Sequence, residues 1–375
     1  MSILVINAGS SSIKYSLYDS KTLRLIDHGL IEELANHHEG FETMRSQLLI
    51  HRIDITKIDA IGHRVVHGGE RFHSPVLIDD DLLVEITALI PLAPLHNPTN
   101  IEGILAARAI APNVPNFAIF DTAFHQTMPP YAYRYPLPHD LYQSYHVRRY
   151  GFHGISHHYV SQRAAYVLKK PIDTLNLITF HIGNGVSACA IEKGKSIDTS
   201  MGMTPLEGLM MGTRSGSIDP SIIGYLMREK GMTIEEIDTL LNQKSGLLAI
   251  AGTNDLRIII DAKETGDANA ALAIDMFAYR LKKQLGEYMA VLRGVDAIVF
   301  TGGIGEHSPI IRTMMCDGLE HLGISLDADK NHLNALQIHA PASTAALLII
   351  PTDEEHQIAL YVHQILQQNN TKEYV

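Results

Sequence analysis

The sequence predicts an α/β fold built twice over. Three observations carry that expectation. The chain has 375 residues, against about 150 for an ordinary domain, so its length alone suggests two domains or three. Strand-like apolar runs alternate with helix-like stretches along it. A strand–turn–strand hairpin opens the chain and recurs where the second half begins, which points to an internal duplication. Hydrophobic residues make up 46% and charged residues 19%, enough for a sizeable core and too apolar for disorder.

The first hairpin has a strand over 3–6, the turn Asn7-Ala8-Gly9-Ser10-Ser11-Ser12, and a period-two strand over 13–18. The second has a strand over 175–182, the turn Gly183-Asn184-Gly185, and a return strand over 186–191. A third Gly-rich turn, Gly302-Gly303-Ile304-Gly305-Glu306, follows an apolar strand over 296–301. A helix is expected over 308–322, with Ser308-Pro309 as its cap and first turn. Further helices are expected over 98–111, 156–168, 267–292 and 353–367, with Gly294 a natural stop. Residues 131–149, rich in Tyr, Pro and His, read as a loop or crossover.

Charge and composition exclude several classes. There are 30 basic and 41 acidic residues, a net charge of −11, which disfavours a nucleic-acid or anionic-membrane partner because both need a cationic surface. No apolar run approaches the roughly 20 residues of a membrane span, and the N-terminus lacks a basic signal-peptide region, so a cytoplasmic protein is expected. Two cysteines, Cys189 and Cys316, make no disulfide framework and fit a reducing compartment. The pairs His37-His38 and His157-His158 have no ligand spacing around them and read as structural.

Three Gly-rich turns after strands suit phosphate binding, because small residues let backbone N–H groups approach the oxygens. The chain has neither a P-loop nor an early dinucleotide fingerprint. Lys14 is either a phosphate contact or a solvated strand lysine. Arg64, inside an apolar strand that ends in Gly68-Gly69, and Arg214, in a turn of small residues, suit planar recognition of a carboxylate or phosphate; pairing to a buried acid is the alternative. Asp121 ends an apolar run, a common active-site position. His153 lies between Gly151 and Gly154 and is either a ligand contact or a core histidine. Glu354 is either a hard oxygen ligand for Mg²⁺ or an acid favoured at a helix N-terminus.

Together these segments resemble the acetokinase family of the actin/Hsp70/sugar-kinase superfamily. The matching stretches are Asn7–Lys14, Gly62–Gly69, Pro94–Pro98, Phe120–His125, Arg149–Gly154, Gly202–Gly208, Gly212–Gly216, Gly303–Glu306 and Thr352–Glu355, in the family's order. The resemblance implies a duplicated ribonuclease H-like (actin-like ATPase) fold with the active site in the interdomain cleft. It implies domains at 1–149 and 150–356, with a C-terminal helix over about 357–375 returning to the first.

The implied reaction is Mg²⁺-dependent conversion of ATP and acetate to ADP and acetyl phosphate by a homodimer, with Mn²⁺ as an alternative metal. By position, Asn7 and Glu354 take the metal roles. Asp121, His153 and Arg214 take the catalytic ones. Arg64 binds the carboxylate, and Val66, Leu95, Phe152 and Pro205 line the acyl pocket. The nucleotide matches Ser10, Ser12, Lys14, His181, Ile182, Gly183, Asn184, Gly185, Asp255, Leu256, Arg257, Gly303, Ile304, Gly305, Glu306 and His307. Ser217 and His307 stand where the family usually has Asp and Asn, and Val186 and Ile155 where it has Ser and Thr. The competing expectations are a propionate or butyrate kinase of the same family, and an actin-like ATPase module without kinase activity.

Overall fold

A computed structural model describes residues 2–9, 12–32 and 36–372. The chain forms two compact units, one of residues 1–126, 154–156 and 353–375, the other of 127–153 and 157–352. Ser10 lies outside the described residues.

Among the described residues the first unit holds a six-stranded sheet: β1 (Ser2–Ala8), β2 (Ser12–Asp19), β3 (Leu25–Glu32), β4 (Ala60–Val65), β5 (Val76–Leu77) and β6 (Asn116–Phe120), in the order β3-β2-β1-β4-β6-β5. The second holds β7 (Asn176–Ile182), β8 (Val186–Glu192), β9 (Lys195–Thr199), β10 (Ala297–Thr301) and β11 (Ala346–Ile349), in the order β9-β8-β7-β10-β11. Each sheet is an antiparallel three-strand meander followed by two parallel strands. The short antiparallel β5 is the first sheet's addition. The repeated strand order is the duplication that the two hairpins announced, in the ribonuclease H-like (actin-like ATPase) fold that the family resemblance implied.

The core of the first unit follows from strand alternation. Leu4, Ile6 and Ala8 face Phe41, Met44 and Leu48 of the helix His37–Ile50, and Ala106 and Ala107 of the helix Asn97–Ile110. Ile3 and Val5 face Ile358, Ala359 and Val362 of the C-terminal helix Glu354–Lys372. That helix lies so close to β4 that a Cβ on Gly62 would sit 2.7 Å from Ile358 Cγ2 and 3.0 Å from Val362 Cγ2. Both faces of β1, β4 and β6 are therefore covered, which is why these strands read as apolar runs.

Local structure departs from the sequence reading in four places. Gly302–His307 is a short helix, not a turn, because the Glu306 carboxylate reaches back to accept the Gly302 N–H at 2.9 Å. The helix expected over 308–322 begins at the Ser308 cap but ends at Cys316, before Gly318 at φ +71. The helix Ala268–Leu292 is closed by Arg293 in the left-handed region, one residue ahead of Gly294. Residues 131–149 contain two short helices, Pro130–Tyr133 and His139–Tyr145. Among the described residues, no helix is long and apolar enough to cross a membrane.

Candidate active site

In the first unit the sheet brings a charged cluster to the ends of β1, β4 and β6. Arg64 is the least buried residue of β4. Its Nη2 donates to Asp121 Oδ2 at 2.6 Å and its Nε to Oδ1 at 3.2 Å. Asp121, just past β6, is 1% exposed. Nη1 reaches Asn7 Oδ1 on β1 at 3.4 Å, and Glu354 Oε2 lies 3.9 Å from Nε. Burial alone would lower the guanidinium pKa, but Asp121, Glu354 and Glu355 more than offset it and raise it. Asp121 thus aims a permanent cation by a two-point grip. Lys14, half-exposed on β2 and opposite Asn7 in the hairpin, pairs with Glu355 at 2.8 Å.

The Glu354 carboxylate shows an unspent oxygen. Its Oε1 is buried with no hydrogen-bond partner, a costly state for a carboxylate unless a cation or water meets it. No group of three or more His, Cys, Asp or Glu side chains converges among the described residues. A Mg²⁺ ion that keeps most of its waters needs only one or two protein oxygens, so Asn7 and Glu354 fit one. Val66 is half-buried, its N–H bound to Asn100 Oδ1 at 3.0 Å, and Leu95 is exposed. The Ser12 carbonyl closes the turn of the first hairpin by accepting the Gly9 N–H at 2.8 Å.

The second unit gathers donors around a Gly turn. The residue is Gly185. A Cβ there would lie 3.3 Å from His153 Nε2 and 3.7 Å from Arg214 Nη1, so the missing side chain lets the backbone of the turn lie close beside two donors. Arg214 has no carboxylate partner among the described residues; it touches the Pro205 carbonyl at 3.5 Å, and burial lowers its pKa. His153 takes φ +55, a strained conformation for a residue with a Cβ. Its ring stacks on His181 at 4.2 Å. Phe152 and Ile182 are buried.

Beside the turn lies a mostly apolar cavity of about 580 Å³ lined by Gly183, Asn184, Asp255, Leu256, Arg257, Gly303, Ile304 and His307. Asn254, Ile260, Ser308, Pro309 and Ile310 complete its walls. Such a volume suits a nucleoside. Asp255 caps the helix Leu256–Glu264, and its bonds to Arg257 push its pKa down to about 2. Glu306 is turned inward: its Oε1 accepts from Gly302 N, Thr301 Oγ1 and Thr352 N, so it shapes the cavity wall from behind. Gly305 lies against Ile182 in the same way. His307, 76% exposed, stands at the rim.

The sequence-derived residues therefore fall into two sets. Asn7, Ser12, Lys14, Arg64, Val66, Leu95, Asp121 and Glu354 belong to the first unit, and the others described belong to the second. Sequence reasoning missed Glu355, which holds Lys14, and the apolar walls at Ile260, Pro309 and Ile310; no local pattern marks them. It also passed over His157, read only as half of a histidine pair.

A duplicated α/β fold with a cavity of nucleoside size beside a Gly turn, and with Arg214 and His153 at that turn, fits a phosphotransferase. The chain belongs to the acetokinase family, whose model matches residues 27–360. It is 50% identical to an acetate kinase of Sulfurovum sp. (strain NBC37-1), over 96% of this chain and 97% of the relative. It is 51% identical to an acetate kinase of Thermoanaerobacterium thermosaccharolyticum, over 98% and 99%. Among solved structures, Porphyromonas gingivalis acetate kinase superposes with a TM-score of 0.92 at 41% identity, covering 97% of this chain and 99% of that one. A propionate kinase from Francisella tularensis superposes equally well, TM-score 0.92 at 44% identity, covering 96% and 98%.

Proposed function

We propose that this chain transfers the γ-phosphoryl group of ATP reversibly to acetate, giving acetyl phosphate and ADP. The observation that carries the reading is the identity of about half its residues with acetate kinases over nearly their whole length. The chemistry of the two residue sets agrees with it. Phosphoryl transfer spreads negative charge over the equatorial oxygens, and the protein's task is to position and neutralise.

Arg64, aimed by Asp121, binds the acid. Acetate is already ionised at neutral pH, so Asp121 acts by orienting Arg64 and need not remove a proton. His153 Nε2 and Arg214 supply donors to the transferring group, and the Gly183–Gly185 turn offers backbone N–H groups to the phosphates. The 580 Å³ cavity takes the base and ribose. Mg²⁺ would be held by Asn7 and Glu354 with water between, and when bound it neutralises charge on the phosphates. Lys14, fixed by Glu355, adds positive charge on the ATP side. The enzyme works in the cytoplasm as a homodimer.

A specific observation supports a second reading, transfer to propionate: the likeness to a propionate kinase equals that to an acetate kinase. Val66, Leu95, Phe152 and Pro205 would form the acyl pocket, and a valine at 66 favours the shorter acid. One methylene changes selectivity by only about 1–3 kcal/mol, so propionate should be the poorer substrate. Trapping acyl phosphate with hydroxylamine, for acetate, propionate and butyrate in parallel, tests both. More product from acetate supports the first reading and more from propionate the second. No product from any acid, in protein that binds ATP, leaves the ATPase module.

A further inference from the structure

Behind His153 runs a row of hydrogen bonds that phosphoryl transfer does not itself require. His153 Nδ1 lies 2.9 Å from Ser187 Oγ, Ser187 Oγ lies 2.7 Å from His157 Nε2, and His157 Nδ1 lies 2.7 Å from Thr179 Oγ1. Thr179, Ser187 and His157 are wholly buried. The fold puts them in line. Ser187 on β8 pairs with His181 on β7, and Thr179 is two residues along the same face of β7. The helix Gly154–Leu168 carries His157 one turn beyond His153, with its N–H on the His153 carbonyl at 2.9 Å.

The row has a direction, set at its far end. The Thr179 hydroxyl has one proton, and His157 is its hydrogen-bond partner among the described residues. A buried donor without an acceptor is costly, whereas a spare lone pair on an oxygen is tolerated. Thr179 therefore donates to His157 Nδ1. That nitrogen then carries no proton, so His157 is protonated at Nε2 and donates to Ser187 Oγ. The serine's own proton turns to His153 Nδ1. His153 is left with its proton on Nε2, the nitrogen beside Gly185 and Arg214.

We infer that Thr179, His157 and Ser187 are positioning residues that hold His153 in the neutral Nε2–H tautomer, so that it meets the phosphoryl group as a hydrogen-bond donor and not as a base. The inference rests on the proposed role of His153. It also gives the His153 backbone a reason: a strained φ is kept where side-chain contacts fix the ring, here by Ser187 on one edge and His181 on one face. Which nitrogen of a histidine is protonated is set by the bond the other makes.

The test is nitrogen-15 NMR of histidine-labelled enzyme, with His153→Ala to assign the signal, read alongside steady-state kinetics. The wild type should show His153 as the Nε2–H tautomer. Thr179→Val, which keeps the shape and removes the proton, and Ser187→Ala should give mixed tautomers. Both should lower kcat by roughly ten- to a hundredfold, the range found when a hydrogen bond that orients a metal-binding histidine is removed, with KM for ATP and acetate unchanged. Thr179→Ser should restore tautomer and rate together. In a His153→Ala background, Thr179→Val should cost nothing further.

An Nδ1–H signal in the wild type overturns the inference, and that reading needs only the His153→Ala assignment variant to fold. So does a mixed tautomer with normal kcat in Thr179→Val, or a full additional loss in the double variant. Normal acyl phosphate formation by His153→Ala removes the underlying role of His153, and is recognised separately because the spectrum still reports the tautomer.

Discussion

The two sheets can be laid residue on residue by counting back from their hairpin turns, and the comparison separates scaffold from chemistry. Ala8 and Ile182 are the last paired residues before each turn, so Asn7 corresponds to His181. Their parallel neighbours follow: Val5 pairs with Gly62 and Thr179 with Val299, Ile6 pairs with His63 and Phe180 with Phe300. Arg64 then occupies the place of Thr301, which pairs with His181. The strand order is kept, and so is a Gly pair just beyond β4 and β10, at Gly68-Gly69 and Gly302-Gly303. The chemistry is not. One copy ends in an arginine gripped by a buried acid, the other in a threonine that feeds a Gly-started helix and a nucleoside-sized cavity. The two sheets thus offer equivalent strand ends with different side chains, and on the proposed function those ends divide the labour between acid and nucleotide.

Making the first copy resemble the second tests this division. The largest effect is expected from Arg64→Thr. Losing one such charged donor typically costs about 2.7–4 kcal/mol of barrier, or roughly 10²–10³ in rate. Kinetics should show the loss in kcat/KM for acetate, with ATP binding by calorimetry nearly intact. Weakened ATP binding with unchanged acetate KM would mean that the labour is not split this way.

Gly62→Val comes next. Its side chain would meet Ile358 and Val362 of the C-terminal helix, and overpacking of this kind costs about 1–3 kcal/mol. A lower urea midpoint, relieved by Ile358→Ala, is the expected result. An unchanged midpoint would show that the helix is free to retreat.

The smallest effect separates His63 from Phe300. Burial pushes the His63 pKa down to about 4, against a raising bond to Asn116 at 2.7 Å. A depressed folded-state pKa means that the unfolded chain takes up protons first, so stability is intact above about pH 6.5 and falls as the pH drops toward 4. The loss should be about 2 kcal/mol by pH 5. His63→Phe should flatten that part of the pH dependence of unfolding. An unaltered slope would place the acid sensitivity elsewhere, with His158, also pushed down to about 4 by burial, the next group to change.

By itself the sequence determined the fold class, the two hairpins with their Gly turns, the strands that are apolar on both faces, and the family. These depend on periodicity, on turn residues with few conformations to choose from, and on ordered motifs, all of which are local along the chain. It did not reveal β3 or β9, since β3 is an edge strand half open to solvent and β9 is only five residues long, and neither carries a clean alternation. Only the tertiary structure decided which groups meet. Asp121 grips Arg64 from 57 residues away, Glu355 reaches Lys14 across nearly the whole chain, and Glu306 turns inward to make a helix of an apparent turn. His157 sits beside His158 in sequence, yet the helix buries its ring against Ser187 and Thr179. Partners of this kind are chosen by strand register and helix packing, which bring distant residues within 3 Å and leave no local pattern to read.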